Sequence, residues 1–112
     1  MVAGHRIEKI EDVESFLERI ETYKKEDIEC TSHTFFRLNE KQREFFKCED
    51  IKRLLLGERP VLVGLQYNGC FAVFYKHEKQ RYIRLIIDVK PHKIEVVTFY
   101  ILESHQIPQI RK

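Results

Sequence analysis

The stretch VLVGLQYNGCFAVFY, residues 61–75, decides the fold class. It contains two apolar runs separated by Asn68 and Gly69, a pair that suits the positive φ angles of a type I′ turn. We therefore predict a β-hairpin. The alternating runs YIRLIIDV, residues 82–89, and KIEVVTFYI, residues 93–101, follow the hairpin and predict two further strands of an antiparallel meander.

Before the hairpin, the apolar residues recur at helical spacing instead of alternating. Apolar residues recur every three or four positions over residues 10–25, which predicts an amphipathic helix. The segment CEDIKRLLLG, residues 48–57, predicts another helix, because acidic residues open it and a glycine closes it. Between these helices, DIECT, residues 27–31, is short enough to be an edge strand.

A further helix is predicted over residues 32–46. Thr31 or Ser32 would cap its N-terminus, because a hydroxyl oxygen accepts a hydrogen bond from the first free N–H groups of a helix. We expect its buried face to consist of Phe35, Phe36, Leu38, Phe45 and Phe46.

The order of these elements predicts an α+β domain in which N-terminal helices pack on one face of a C-terminal four-stranded antiparallel sheet. A chain of 112 residues has the size of one domain, 1–112. Within it we distinguish an N-terminal helical extension, 1–27, a core, 28–102, and a tail, 103–112.

Composition excludes several classes of protein. The net charge of +2 is too small to indicate a polyanion partner by itself. No apolar run approaches the roughly 20 residues of a membrane span, so no membrane partner is expected. The cysteines Cys30, Cys48 and Cys70 are odd in number and have no recurring spacing, which favours a reduced cytoplasmic protein.

Alternation along the last two predicted strands separates two faces of the sheet. One face should carry Ile83, Leu85, Ile87, Val97, Phe99 and Ile101 and belong to the core. We expect a core made of Phe16, Phe35, Leu55, Val73, Leu85 and Val97. The other face brings Arg84, Thr98 and Tyr100 near one another if these strands pair directly, although an ordinary exposed sheet face also carries such residues.

His33 and Arg37 are four residues apart and share one side of the predicted helix over residues 32–46. The start of a helix is a favourable place to hold a phosphate, where an imidazole can transfer a proton and a guanidinium can neutralise charge. The alternative is a plain surface pair in which Arg37 faces Glu40.

The remaining candidate motifs are weaker. Lys76, Lys79 and Arg81 form a basic turn that is either an RNA-binding surface or a solvated hairpin tip. Cys30 and His33 resemble half of a metal site that has no second ligand pair, so no metal is expected. Glycine-rich phosphate and dinucleotide fingerprints are absent from the sequence, so no cofactor is expected either.

The segments TSHTFFRL, CEDIKRLLLGE and VVTFYI together resemble the family of small prokaryotic proteins known as domain of unknown function forty-two fifty-eight. That family is grouped with the RelE-like and barnase-like (BECR fold) ribonuclease toxins. The resemblance covers residues 29–102 and implies a RelE-like core. The N-terminal helix is an addition to the family pattern, which suggests antitoxin docking or a homodimer contact.

The resemblance implies a metal-independent endoribonuclease toxin that cleaves RNA through 2′-hydroxyl attack and is bound by a small protein antitoxin. The family motif marks His33, Arg37, Thr98 and Tyr100. In this hypothesis His33 is the general acid or base, Arg37 and Arg84 contact the scissile phosphate, and Thr98 and Tyr100 orient the substrate. The alternatives are a non-catalytic module that binds RNA or protein on the same fold, and a purely structural subunit.

Overall fold

The computed structural model describes residues 7–31, 33–36, 38–78 and 80–103. These residues form six strands, three short α-helices and one 3₁₀ turn at Lys25–Asp27. In chain order the elements are β1 (Ile7–Glu11), α1 (Val13–Ile20), β2 (Ile28–Cys30), α2 (Glu40–Phe45), α3 (Cys48–Gly57), β3 (Leu62–Gln66), β4 (Phe71–Glu78), β5 (Arg81–Val89) and β6 (Ile94–Glu103).

All six strands belong to one mixed sheet in the order β1-β3-β4-β5-β6-β2. The meander from β3 to β6 is antiparallel, as predicted, and β1 extends it antiparallel to β3. At the opposite edge, β2 runs parallel to β6. The predicted fold class is therefore wrong: the N-terminal part of the chain contributes two strands, and the sheet is six-stranded and mixed rather than four-stranded and antiparallel.

The predicted hairpin is present, but its turn differs from the predicted type I′ turn. Gly69 has φ 88°, and no other type of residue in the described part of the chain has positive φ, so Asn68 does not adopt the type I′ conformation. The Gly69 N–H donates to the Gln66 carbonyl at 3.0 Å, and the Gln66 N–H donates to the Cys70 carbonyl at 2.9 Å. Residues 67–70 thus connect the strands, with Gly69 at the left-handed position.

The helix predicted over residues 10–25 is shorter than expected. Residues 7–11 pair with β3 instead, because an unpaired β3 edge would leave backbone groups without hydrogen bonds. The helix α1 begins after Asp12, whose carboxylate accepts from the Ser15 N–H at 3.0 Å. The predicted helix over residues 48–57 is confirmed as α3.

The main core lies between the sheet and the helices. Phe16, Leu55, Val73 and Leu85 are buried in it as predicted, and Phe35 packs against it while partly buried. Val97 does not belong to this core, so its predicted position is wrong. A β-bulge shifts the register so that Ile86 faces Thr98 but Ile87 faces Val96, which places Val96 in the core and turns Val97 to the opposite face.

A second apolar cluster lies on the other face of the sheet. Its buried members are Leu62, Cys70, Ala72, Phe74, Ile86 and Leu102. Ile7 packs at the edge of this cluster, and its side chain lies so close to β3 that a Cβ on Gly64 would come within 2.8 Å of Ile7 Cγ2. Gly64 therefore makes room for β1 to dock on the sheet.

Candidate functional site

A disulfide between Cys30 and Cys48 joins the end of β2 to the start of α3. The expectation of fully reduced cysteines is therefore wrong; the third cysteine, Cys70, is free and buried. The sequence did not reveal the pair, because the two positions become neighbours only when β2 and α3 pack together. We call residues 31–47, which this disulfide closes into a loop, the disulfide-closed segment.

Thr34 anchors the disulfide-closed segment to the sheet. Its hydroxyl donates to the Val96 carbonyl at 3.0 Å, and its own carbonyl accepts from the Phe99 N–H at 2.8 Å. The Thr31 N–H in turn donates to Thr34 Oγ1 at 2.8 Å. Thr34 is fully buried, so these bonds extend the parallel pairing beyond the end of β2. Sequence reasoning missed Thr34, although two threonines three residues apart are typical of such local turns.

These local bonds also explain why the helix predicted over residues 32–46 is wrong. Residues 33–36 form a turn, and the helix begins only at Glu40, after Asn39. The Asn39 side chain accepts from the Gln42 N–H at 2.8 Å, and the Gln42 side chain accepts from the Asn39 N–H at 3.1 Å, a reciprocal cap. Because residues 33–36 form a turn, the helix start on which the predicted phosphate site depended is absent from this part of the described chain.

Arg43 holds α2 against the preceding turn. Its Nε donates to the Phe35 carbonyl and its Nη2 donates to the Phe36 carbonyl, each at 3.2 Å. Lys47 Nζ donates to the Arg43 carbonyl at 3.1 Å. Because both termini of the segment are joined by the disulfide, these bonds keep the turn and the helix in a defined arrangement.

In each of the two Phe-Phe pairs of this segment, one ring packs against the core and the other is exposed to solvent. Phe35 and Phe46 pack on Phe99, with ring centroids 5.7 and 5.0 Å away. Their neighbours Phe36 and Phe45 are 69% and 70% exposed, so the prediction that they are buried is wrong. Two largely exposed phenylalanine rings on one short segment need a reason, because the hydrophobic effect favours their burial.

The segment that carries these rings is rich in basic residues. The sequence of the disulfide-closed segment contains four Lys or Arg residues and two Glu residues, as well as His33. His33 is exposed; its ring lies edge-on to Phe36 at 6.4 Å, and its backbone N–H donates to Thr31 Oγ1 at 3.1 Å. Arg37, the predicted partner of His33, lies outside the described residues.

The predicted residues of the sheet face form a separate group. Arg84 is directly opposite Tyr100 in the β5–β6 register, and Thr98 lies two residues before Tyr100 on the same face. The Arg84 guanidinium carbon is 5.7 Å from the Tyr100 ring centroid and 5.3 Å from that of Phe74. Arg84 thus packs between aromatic neighbours on both flanking strands, and Thr98 is buried.

The residues of the predicted basic turn make different contacts. Lys76 lies over the Tyr82 ring, with Nζ 5.1 Å from the centroid. Arg81 pairs with Glu78 at 3.6 Å and with Glu103 at 3.4 Å. Lys79 lies outside the described residues. Two of the three cations therefore already have an aromatic or acidic partner.

A cleft of about 240 Å³ adjoins the disulfide-closed segment. It lies where Phe45 and Phe46 meet α3 and the strands β4 and β5, and the His77 ring stands edge-on to Phe46 with centroids 5.5 Å apart. The exposed Phe45 ring forms one of its walls. The cleft therefore extends from the exposed Phe45 ring to polar side chains of α3.

The structure also bears on metal binding and on membrane insertion. In the described part of the chain, no group of three or more His, Cys, Asp or Glu side chains is placed to hold a metal ion. None of the helices in the described ranges has the length and apolar character that crossing a bilayer demands.

Comparison with known proteins gave one match. The model of the MJ0788 family matches residues 14–87, which include the whole disulfide-closed segment and end within β5. No curated protein and no solved structure matched significantly. The resemblance to the domain of unknown function forty-two fifty-eight, and with it the RelE-like grouping, is wrong, because the matching family is a different one. Since the match covers more than half of the chain, the protein belongs to the MJ0788 family.

Proposed function

We propose that this protein is a non-catalytic module that binds single-stranded RNA through the disulfide-closed segment. The observation that carries the proposal is the exposure of Phe36 and Phe45, 69% and 70%, on a segment rich in Lys and Arg. Proteins that bind single strands combine aromatic rings, on which bases stack, with cations that contact the phosphates. The proposal keeps the cytoplasmic location because the ligand is RNA; the cysteines no longer argue for it, since two of them form a disulfide.

The backbone that carries the two rings is ordered before any RNA binds. Thr34 fixes the turn to β6, Arg43 fixes α2 to the turn, and the disulfide closes the segment. A surface that is already ordered loses less conformational entropy on binding, so more of the stacking energy contributes to affinity. This support separates Phe36 and Phe45 from a scattered exposed residue such as Tyr67 in the hairpin turn.

The first test replaces the exposed rings. We expect Phe36→Ala and Phe45→Ala each to weaken binding of a fluorescent RNA strand of about 10 nucleotides by about 1–3 kcal/mol, or roughly 5- to 150-fold, measured by anisotropy. Tyr67→Ala is the matched control, because Tyr67 is 60% exposed but lies outside the segment. Equal losses for all three variants, or no binding by the wild type, would refute the proposal.

The same assay distinguishes binding from catalysis. The ribonuclease expected from the resemblance would cleave the strand in EDTA, and His33→Ala would slow that cleavage by roughly 10²–10⁴-fold. We expect intact RNA after incubation with the wild type. Cleavage that depends on His33 would replace the binding module by an endoribonuclease and would reopen the question of a small antitoxin partner.

The cations of the segment give a second, independent prediction. Lys41 is exposed on α2, and a lysine that contacts one phosphate contributes about 0.7 to the slope of log affinity against log salt concentration for a single strand. Lys41→Ala should therefore lower the slope by about that amount and weaken binding of all RNA sequences alike. Lys24→Ala, an exposed position outside the segment, should leave the slope unchanged.

A further inference from the structure

A cavity of about 350 Å³ lies between α3 and the 3₁₀ turn at Lys25–Asp27. Its lining consists of Lys25, Glu49, Lys52, Arg53, Leu56 and Gly57. Three of these side chains are cations and one is a carboxylate, so the lining as a whole is positively charged. Arg53 also lines the cleft beside Phe45, so the cavity and that cleft adjoin each other.

The cations of the cavity converge on the Glu49 carboxylate. Lys25 Nζ lies 2.7 Å from Glu49 Oε1, and Lys52 Nζ lies 3.8 Å from Glu49 Oε2. The hydrogen bond from Lys25, together with the charges of Lys25, Lys52 and Arg53, lowers the pKa of the Glu49 carboxyl below its usual value. The cavity therefore already stabilises one anionic group, which belongs to the chain itself.

The contacts that hold Glu49 can be exchanged for contacts with another anion. The Lys25 and Glu49 side chains are 63% and 57% exposed, and water screens an ion pair of this kind, so the pair itself contributes little. A phosphodiester carries its negative charge on non-bridging oxygens that the same lysines can contact. Arg53 pairs with Asp50 through Nη2 at 3.1 Å, which leaves further N–H donors of the guanidinium for a phosphate oxygen.

We propose that this cavity binds a backbone phosphate of the RNA strand, which displaces the Glu49 carboxylate. The inference rests on the proposed function and extends its surface. A base stacked on Phe45 would lie beside Arg53, and the strand would continue past Arg53 to Lys25 and Lys52. Glu49 then competes with the phosphate for these cations and limits the affinity for RNA.

The first test removes the competing carboxylate. Glu49→Gln should bind the fluorescent RNA strand about 2- to 5-fold more tightly than the wild type, the equivalent of one exposed ion pair. Glu8→Gln is the matched control, because it removes the same charge at an exposed position of β1, the sheet edge opposite β2, and should change the affinity little. If Glu49→Gln tightened binding no more than Glu8→Gln, Glu49 would only tie the 3₁₀ turn to α3, and the cavity would not be a phosphate site.

The second test removes a cation in the Glu49→Gln variant, where the loss of Lys25 leaves no carboxylate without its partner. Adding Lys25→Ala should lower the slope of log affinity against log salt concentration by about 0.7, the value for one phosphate contact of a single strand. Adding Lys9→Ala, at a side chain that is 68% exposed on β1, should leave the slope unchanged. An unchanged slope after Lys25→Ala would refute the phosphate site, and the proposed function would stand if Phe45→Ala still weakened binding.

Inorganic phosphate provides a readout that does not depend on RNA binding. It should shift the amide NMR signals of Lys52 and Gly57 in the wild type, and Glu49→Gln should reach half of the full shift at about 2- to 5-fold lower phosphate concentration. If the wild type bound no RNA but showed these shifts, the proposed function would fail while the cavity remained a phosphate site for another ligand. If neither phosphate nor RNA bound, both proposals would be refuted.

Discussion

Replacing Leu85 by alanine is expected to lower the free energy of unfolding by about 2–5 kcal/mol, the range for removing a buried leucine side chain. Leu85 is completely buried on β5, directly between Val73 of β4 and Phe99 of β6. These two neighbours are held by the sheet hydrogen bonds, so they are poorly able to close the cavity that the substitution leaves.

Denaturation in urea measures this effect, and the exposed Leu56 provides the control. Leu56 lies on α3 and is 44% exposed, so Leu56→Ala should change the free energy of unfolding by only about 0.5 kcal/mol. If the two variants were equally stable, the assignment of strand faces on which the core depends would be wrong.

Removal of the disulfide is expected to have the second largest effect on stability, about 3 kcal/mol. Cys30 and Cys48 are 18 positions apart, and opening a loop of this length restores that much conformational entropy to the unfolded chain. The loss should also reach the proposed RNA-binding surface, because Phe36 and Phe45 would no longer lie on a closed segment. RNA affinity should therefore fall on reduction while the rest of the sheet remains folded.

Two measurements check this prediction. Thermal unfolding of the wild type should shift to lower temperature when a reductant is added, whereas the Cys30→Ser/Cys48→Ser variant should unfold at one temperature under both conditions. Alkylation of the unfolded, unreduced protein should label only Cys70, detected by mass spectrometry. Labelling of all three cysteines would contradict the pairing.

Elements whose structure depends on residues close together in the chain were predicted well. The helix α3 was predicted with its observed boundaries, because acidic residues at its start and glycine at its end act within one turn. The hairpin of β3 and β4 was predicted for the same reason, although Gly69 alone adopts the left-handed conformation that was expected of two residues. The adjacency of Arg84 and Tyr100 followed from strand alternation once these strands paired directly.

Several features that depend on contacts between residues far apart in the chain were not predicted. Ile7 and Ile10 have helical spacing with α1, yet they form β1 because the edge of β3 offers them hydrogen-bond partners. Phe36 and Phe45 were assigned to the buried face of one helix, but the bonds from Thr34 to β6 replace the first part of that helix by a turn, and both rings are exposed. One bulge in the β5–β6 pairing reverses the alternation of side chains on one side of it. Val97 therefore faces away from the main core.

The sequence by itself therefore determined the meander, the helix α3 and the pairing of the Arg84 and Tyr100 positions, since periodicity and turn chemistry act between residues close in the chain. Only the tertiary structure decided the strand β1, the parallel pairing of β2, which was predicted as an edge strand, with β6, the disulfide and the exposure of Phe36 and Phe45. Each of these depends on contacts between residues far apart in sequence: β1 with β3, β2 with β6, and Cys30 with Cys48. Such contacts satisfy backbone hydrogen-bonding groups and bury apolar area. Local propensity does not include these contributions, so the tertiary contacts decide the structure where they disagree with it.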